Sequence, residues 1–215
     1  MLKKVNQLSI CGLIILSFIG CTPDGADYID ELDIVYTNYD PTFGFTSKNT
    51  FALPNEVIKV DDENAPDDPD YEPEFIDPVY SNAILNSIRS NMRNLGYTEV
   101  DKSVGPDLII LPSAIQTDQL YFYYDWSYWG WYYPGYAPGW GWYYPGYFPP
   151  TVTRIRTGSV FIQMTDPNNQ SASDKIPVVW SGVINGLFEG SITSIGNRIA
   201  STIDQAFEQS PYLAK

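Results

Sequence analysis

The chain has 215 residues, 12 Lys+Arg against 26 Asp+Glu, no histidine, two cysteines and aromatic side chains at 15% of its positions. That length suits one domain with appendages. A net charge of -14 opposes binding to nucleic acid, which needs clustered Lys/Arg to displace counterions, and the lack of histidine removes the commonest general base and transition-metal ligand.

The N-terminus reads as an export signal. Lys3 and Lys4 precede an apolar stretch from Leu8 to Ile19 that is too short for the roughly 20 residues a spanning helix needs. The stretch ends in Ser17-Phe18-Ile19-Gly20-Cys21, which resembles the lipobox of bacterial lipoproteins, with Phe18 where leucine is usual. The resemblance implies that residues 1–20 are a signal peptide and that Cys21 is lipidated, palmitate being among its acyl groups. The mature chain would then carry no free thiol, because Cys11 leaves with the signal. Two or more acyl chains give stable anchoring where one would not. Thr22 stands where aspartate would mark inner-membrane retention, so the expected location is the outer membrane, on either its periplasmic or its surface side. Residues 21–32 form an acidic tether with Asp24, Asp27, Asp30 and Glu31, read either as a surface-export signal or as a solvated linker.

Residues 33–215 are expected to form a single domain. Alternation in Ile34-Val35-Tyr36-Thr37 and the turn signal Asp40-Pro41 predict a strand over 33–39, and Thr50 to Leu53 predicts a core strand. Residues 61–77 hold nine carboxylates, three prolines and no base, a composition that predicts a flexible acidic insert. Asp77-Pro78 then opens a helix as cap and first residue. Ile84, Leu85, Ile88, Met92 and Leu95 give it one apolar stripe, and Gly96 closes it. The run Leu108-Ile109-Ile110-Leu111 predicts a strand buried on both faces, prolonged outward by residues 113–124. Residues 151–165 and 176–184 predict a hairpin about the turn at Asp166-Pro167, and Ile192, Ile195, Ile199, Ile203 and Phe207 predict a final helix stopped at Ser210-Pro211. The fold class that follows is α+β, a small mainly antiparallel sheet with two helices on one face, in the order β-α-β-β-β-α.

Between the central strand and the hairpin lies a loop, residues 121–150, with ten Tyr, five Trp and two Phe. Residues 129–139 (WGWYYPGYAPG) and 140–150 (WGWYYPGYFPP) are a tandem repeat matching at nine of eleven positions. Its five prolines and five glycines forbid a membrane-spanning helix and favour turns. Three readings stay open. The loop is a glycan-binding surface of stacking rings; or it lies on lipid headgroups or an envelope protein; or it is a low-complexity insertion that folds back on its own domain or stays mobile. Under the first two, the candidate contact residues are Trp126, Trp129, Trp131, Tyr132, Tyr133, Trp140, Trp142, Tyr143 and Tyr144.

The chain contains no nucleophile elbow, phosphate-binding loop, dinucleotide fingerprint or histidine-based metal motif, so no catalytic residue, metal or cofactor is expected. The acids concentrate in the tether and insert, segments poor at holding a catalytic geometry. Asp68, Asp70 and Glu72 alternate as Ca²⁺ ligands could, but Pro73 and Val79 break an EF-hand pattern. Asp107 and Asp166 read as structural caps.

Taken in order, Tyr39-Asp40-Pro41, Thr50 to Pro54, Leu95-Gly96-Tyr97, Pro106-Asp107-Leu108, the aromatic loop, Gly158 to Asp166 and Trp180-Ser181-Gly182 make the chain resemble the bacterial lipoprotein family catalogued as domain of unknown function 4136, over roughly residues 35–213. The resemblance implies a lipid-anchored envelope protein with a compact α+β domain, and it brings no catalytic residues. The expected function is a non-enzymatic binding or scaffolding lipoprotein. The alternatives are an envelope glycan hydrolase using paired carboxylates, or an auxiliary lipoprotein of a transport system.

Overall fold

The structure, a computed structural model, describes residues 34–60, 73–116, 132–133, 141–146, 158–169, 175–188 and 192–215. Ten elements follow in chain order: β1 (Ile34–Tyr39), β2 (Thr50–Ala52), β3 (Ile58–Val60), α1 (Pro78–Asn94), β4 (Thr98–Glu99), β5 (Leu108–Ile115), β6 (Gly141–Tyr143), β7 (Ser159–Thr165), β8 (Lys175–Asn185) and α2 (Ile192–Glu208). The strands form one sheet with the path β1-β8-β7-β5-β2-β4, β3 pairing with β5 and β6 with β8. The fold is α+β as expected. The sheet, however, is mixed. The long pairs β1/β8, β8/β7 and β7/β5 are antiparallel, whereas the short β2, β3, β4 and β6 all pair in parallel.

The helices form where their caps and stripes place them. Asp77 accepts a hydrogen bond from the Val79 N–H at 2.8 Å, and Ile84, Leu85, Ile88 and Met92 are buried. Gly96, at φ +95°, bonds to Arg93 O while the Tyr97 N–H reaches Met92 O. That pair of bonds is a Schellman ending, which requires the left-handed conformation that glycine adopts without cost. On α2, Ile195, Ile199, Ile203 and Phe207 are buried, and the chain turns at Ser210, whose hydroxyl donates to Ala206 O and accepts from the buried Trp180 indole. Both helices cover one face of the sheet, packing with Leu108, Ile110, Val160, Ile162, Met164, Trp180 and Ile184.

β5 is buried at every position, as a strand enclosed on both faces should be, and it runs through Pro112. A proline removes a ladder donor and is tolerated only where no acceptor waits. Here it falls between β2, which leaves β5 at Ile109, and β3, which joins at Ser113. Two short parallel strands thus flank the one position that cannot bond. The strand ends at Ile115; residues 117–124, expected to prolong it, lie outside the described residues.

Part of the expected acidic insert is placed against the sheet. Phe75 bridges to Ile58, the Lys59 N–H donates to Glu74 O and the Ile76 N–H to Val57 O, so residues 74–76 line the outer edge of β3. Ile76 supplies the apolar anchor that the carboxylates lack. Residues 61–72, the expected signal peptide, Cys21 and the expected tether lie outside the described residues.

Candidate functional site

The second face of the sheet carries Ile58, Val60, Ile109, Leu111, Ile115, Phe161, Ile176, Val178 and Val183, and among the described residues no helix covers it. Residues of the aromatic loop do. Tyr132, Trp142 and Tyr144 pack on this face and are buried. β6 pairs with the first residues of β8, and its alternation turns Trp142 and Tyr144 inward and Tyr143 outward, the last 45% exposed. Tyr144 accepts from Gln163 Nε2 at 3.2 Å. Pro145-Gly146 then turns the chain, with Gly146 at φ +72° and its Cα so close to the end of β1 that a Cβ would stand 2.9 Å from Pro41 Cδ.

These positions revise the expected contact set. Tyr132, Trp142 and Tyr144 are wall rather than surface, because the apolar face beneath them has no other cover among the described residues. Tyr133 is half-buried and Tyr143 is the exposed member. Trp126, Trp129, Trp131 and Trp140 lie outside the described residues. The two repeat copies sit differently: Tyr132 is buried, whereas its counterpart Tyr143 faces outward.

Tyr132 also forms one wall of a groove of about 460 Å³ whose other residues are Leu53, Asn55 and Glu56 after β2, Arg93 at the end of α1, Glu99 at the end of β4, and Val100, Asp101 and Lys102 after it. Glu99 is held by Arg89, which spans both its oxygens at 2.9 and 2.7 Å, and by Arg93 at 2.8 Å. Lys102 donates to Tyr132 O and lies 4.6 Å from that ring's centroid, a cation–π contact that fixes the first repeat copy to the turn after β4. Asp101 caps that turn, accepting from Ser103 Oγ and Ser103 N with Oδ1, and those bonds hold its carboxyl below the usual range. Burial, reinforced by the Asp101 and Glu99 charges, pushes the Tyr132 phenol well above its ordinary value.

Three further acids serve the fold. Asp107 accepts from the Asn49 and Thr50 N–H groups and from Thr50 Oγ1. Burial raises its pKa, but those bonds and Lys48 outweigh burial and leave it lowered. Asp166 caps the hairpin turn through the Asn168 N–H and pairs with Lys48 at 2.8 Å. Asp166 caps its own turn, as the sequence suggests, whereas Asp107 plays its structural part by tying the start of β2 to β5. Asp204 joins the helices by accepting from Ser87 and Asn91. Among the described residues, no group of three or more acids or cysteines could hold a metal ion, and no helix is long and apolar enough to cross a membrane.

Comparison with known proteins places this arrangement. The DUF4136 family, described as a domain of unknown function, matches residues 35–212. The chain belongs to that family. A crystal structure of a DUF4136 family protein from Bacteroides thetaiotaomicron is similar at 30% identity with a TM-score of 0.65, over 85% of this chain and 97% of that one. The PelC dodecamer from Paraburkholderia phytofirmans aligns at 10% identity and a TM-score of 0.41, over 85% and 99%. No curated protein matches the chain.

Proposed function

We propose that this DUF4136 protein is a lipid-anchored component of the cell envelope, held at the outer membrane through Cys21, whose domain binds or scaffolds an envelope component without catalysing a reaction. The observation that carries the reading is the order of its parts: a basic, apolar, cysteine-terminated leader, an acidic tether, and a domain that begins at once with Ile34. The twelve residues from Thr22 to Asp33 reach about 40 Å when extended, enough to hold the domain beside a membrane. The engagement of Asp77, Glu99, Asp101, Asp107 and Asp166 in caps and ion pairs supports binding over acid–base chemistry.

The contact surface in this reading is the outward side of the aromatic loop, with Tyr143 as its described member and Tyr132, Trp142 and Tyr144 as the anchors that present it. Metabolic labelling with palmitate, together with fractionation of the envelope, tests the anchor. Label and outer-membrane retention are expected in the wild type and are both lost in Cys21→Ala. Cross-linking in intact cells tests the surface: a partner captured by the wild type and weakened in Tyr143→Ala is expected, and an unchanged cross-link would move the contact elsewhere.

A further inference from the structure

The groove walled by Tyr132 stands apart from Tyr143, and its chemistry points to a ligand of its own. Its cations are already engaged, Arg93 on Glu99 and Lys102 on Tyr132. The polar groups left over are acceptors or amphoteric: the Glu56 carboxylate, the second oxygen of Asp101 and the Asn55 amide. Leu53, Val100 and Tyr132 give the groove an apolar back, and its volume falls within the roughly 300–1,000 Å³ of small-molecule sites. An anion would meet the Glu56 carboxylate and that of Asp101, which Ser103 and Lys102 compensate only in part. A small cation would meet the Arg93 guanidinium and the Lys102 ammonium across the same space and would leave the apolar back unused.

We infer that this groove binds a neutral, hydroxyl-rich ligand, one or two pyranose rings of an envelope glycan, with Glu56, Asp101 and Asn55 accepting from ring hydroxyls and the C–H face of the sugar against Leu53 and Val100. Carboxylates accept adjacent hydroxyls through charge-assisted bonds, and an amide both gives and receives, so the three groups together read a diol. Tyr132, which comes from the aromatic repeat and is held by Lys102, supplies one wall of the groove. The assignment rests on the envelope reading above for the source of its ligand.

The test uses the full chain in a non-glycosidic detergent, titrated calorimetrically with glucose, N-acetylglucosamine, maltose and chitobiose, and in separate arms with inorganic phosphate and ethanolamine. Saturable, millimolar binding of at least one neutral sugar is expected. Asn55→Ala combined with Glu56→Gln, both at exposed positions, should weaken it at least tenfold with no change in melting temperature. Glu208→Gln, exposed on α2, should leave it unchanged. Lys102→Met should weaken binding and also alter tyrosine fluorescence as Tyr132 loosens. The inference is overturned if no sugar saturates, if only phosphate or ethanolamine binds, or if sugar binding survives the double substitution. None of those results bears on palmitate labelling or on the Tyr143 cross-link, so the groove and the envelope assignment fail separately.

Discussion

The two faces of the sheet are sealed by different means. One is closed by α1 and α2, each seventeen residues long, with a capped start for α1 and a periodic apolar stripe on both. The other is closed by a segment of a Tyr/Trp/Gly/Pro repeat whose described strand, β6, is three residues long. The helices satisfy their own backbone bonds before they pack, so their burial energy is available in full for holding the sheet. β6 has no such internal ladder. Among the described residues it is held by its bonds to β8, the close fit of Gly146 on Pro41, the Gln163–Tyr144 hydrogen bond and the area that Tyr132, Trp142 and Tyr144 bury. A cover built this way can bear exposed side chains at a low cost in stability. It can also be removed by small changes.

The largest effect is expected on the helix face. Trp180→Ala removes a fully buried indole stacked 5.5 Å from Phe207 and takes from Ser210 one of its two donors, leaving that of Tyr212. A loss of about 3–5 kcal/mol is expected in urea denaturation. Trp142→Ala should cost less, about 2 kcal/mol, because a three-residue strand can lift away rather than leave a rigid cavity. Its specific mark would be faster hydrogen exchange in β8 near Ile176, with the helices unaffected. An equal loss for both variants would show that the aromatic cover is as integral as the helices.

Glycines sharpen the contrast. Gly146→Ala meets both a positive φ and Pro41 at 2.9 Å, whereas Gly105→Ala meets only its φ of +74° in open space. The second should cost about 1–2 kcal/mol from conformation alone, and the first more, with loss of β6 protection.

Tyr97 reports on the helix side through pH. Burial pushes its phenol up to about 12, and its hydroxyl donates to Leu213 O at 2.9 Å. An unfolded tyrosine loses its proton near pH 10 while the folded one keeps it. The stability this group supplies is therefore complete below pH 10 and is lost as pH rises from about 10 through 12. Tyr97→Phe should flatten the stability curve in that window, at a fixed cost of about 1 kcal/mol for the missing hydrogen bond. The smallest expected effect is that of Tyr143→Ala, within about 0.5 kcal/mol, since its side chain faces outward.

The same division governs what is legible in the sequence. The stripe Ile84, Leu85, Ile88, Met92 and the caps Asp77 and Gly96 encode α1 locally, and Leu108 to Leu111 announces a strand buried twice over. Asp166 is recognisable as a cap from its neighbours in sequence, whereas the partners of Asp107 lie more than fifty residues away. The cover of the second face is not legible in this way, because aromatic residues adjacent along a repeat have no period that separates wall from surface. The only signal was the spacing Trp142-x-Tyr144 before Pro145-Gly146, a strand's alternation too short to stand out. The parallel strands escape for a related reason: β2, β3 and β4 are two or three residues long and take their partners from distant segments. The groove is assembled from four such segments, and no one of them contains its pattern.

The strand order also bears on when the domain can close. β1 leads the described chain, yet its ladder partner is β8, which begins at Lys175. Contacts this far apart in sequence form slowly, since a long loop must close before they repay it. Until the last fifth of the polypeptide has emerged, the first strand has nothing to pair with, and the sheet cannot lock. If residues 1–21 direct export, as proposed above, the chain would for that reason still be threadable on reaching a translocation channel, and would become a rigid body only on the far side.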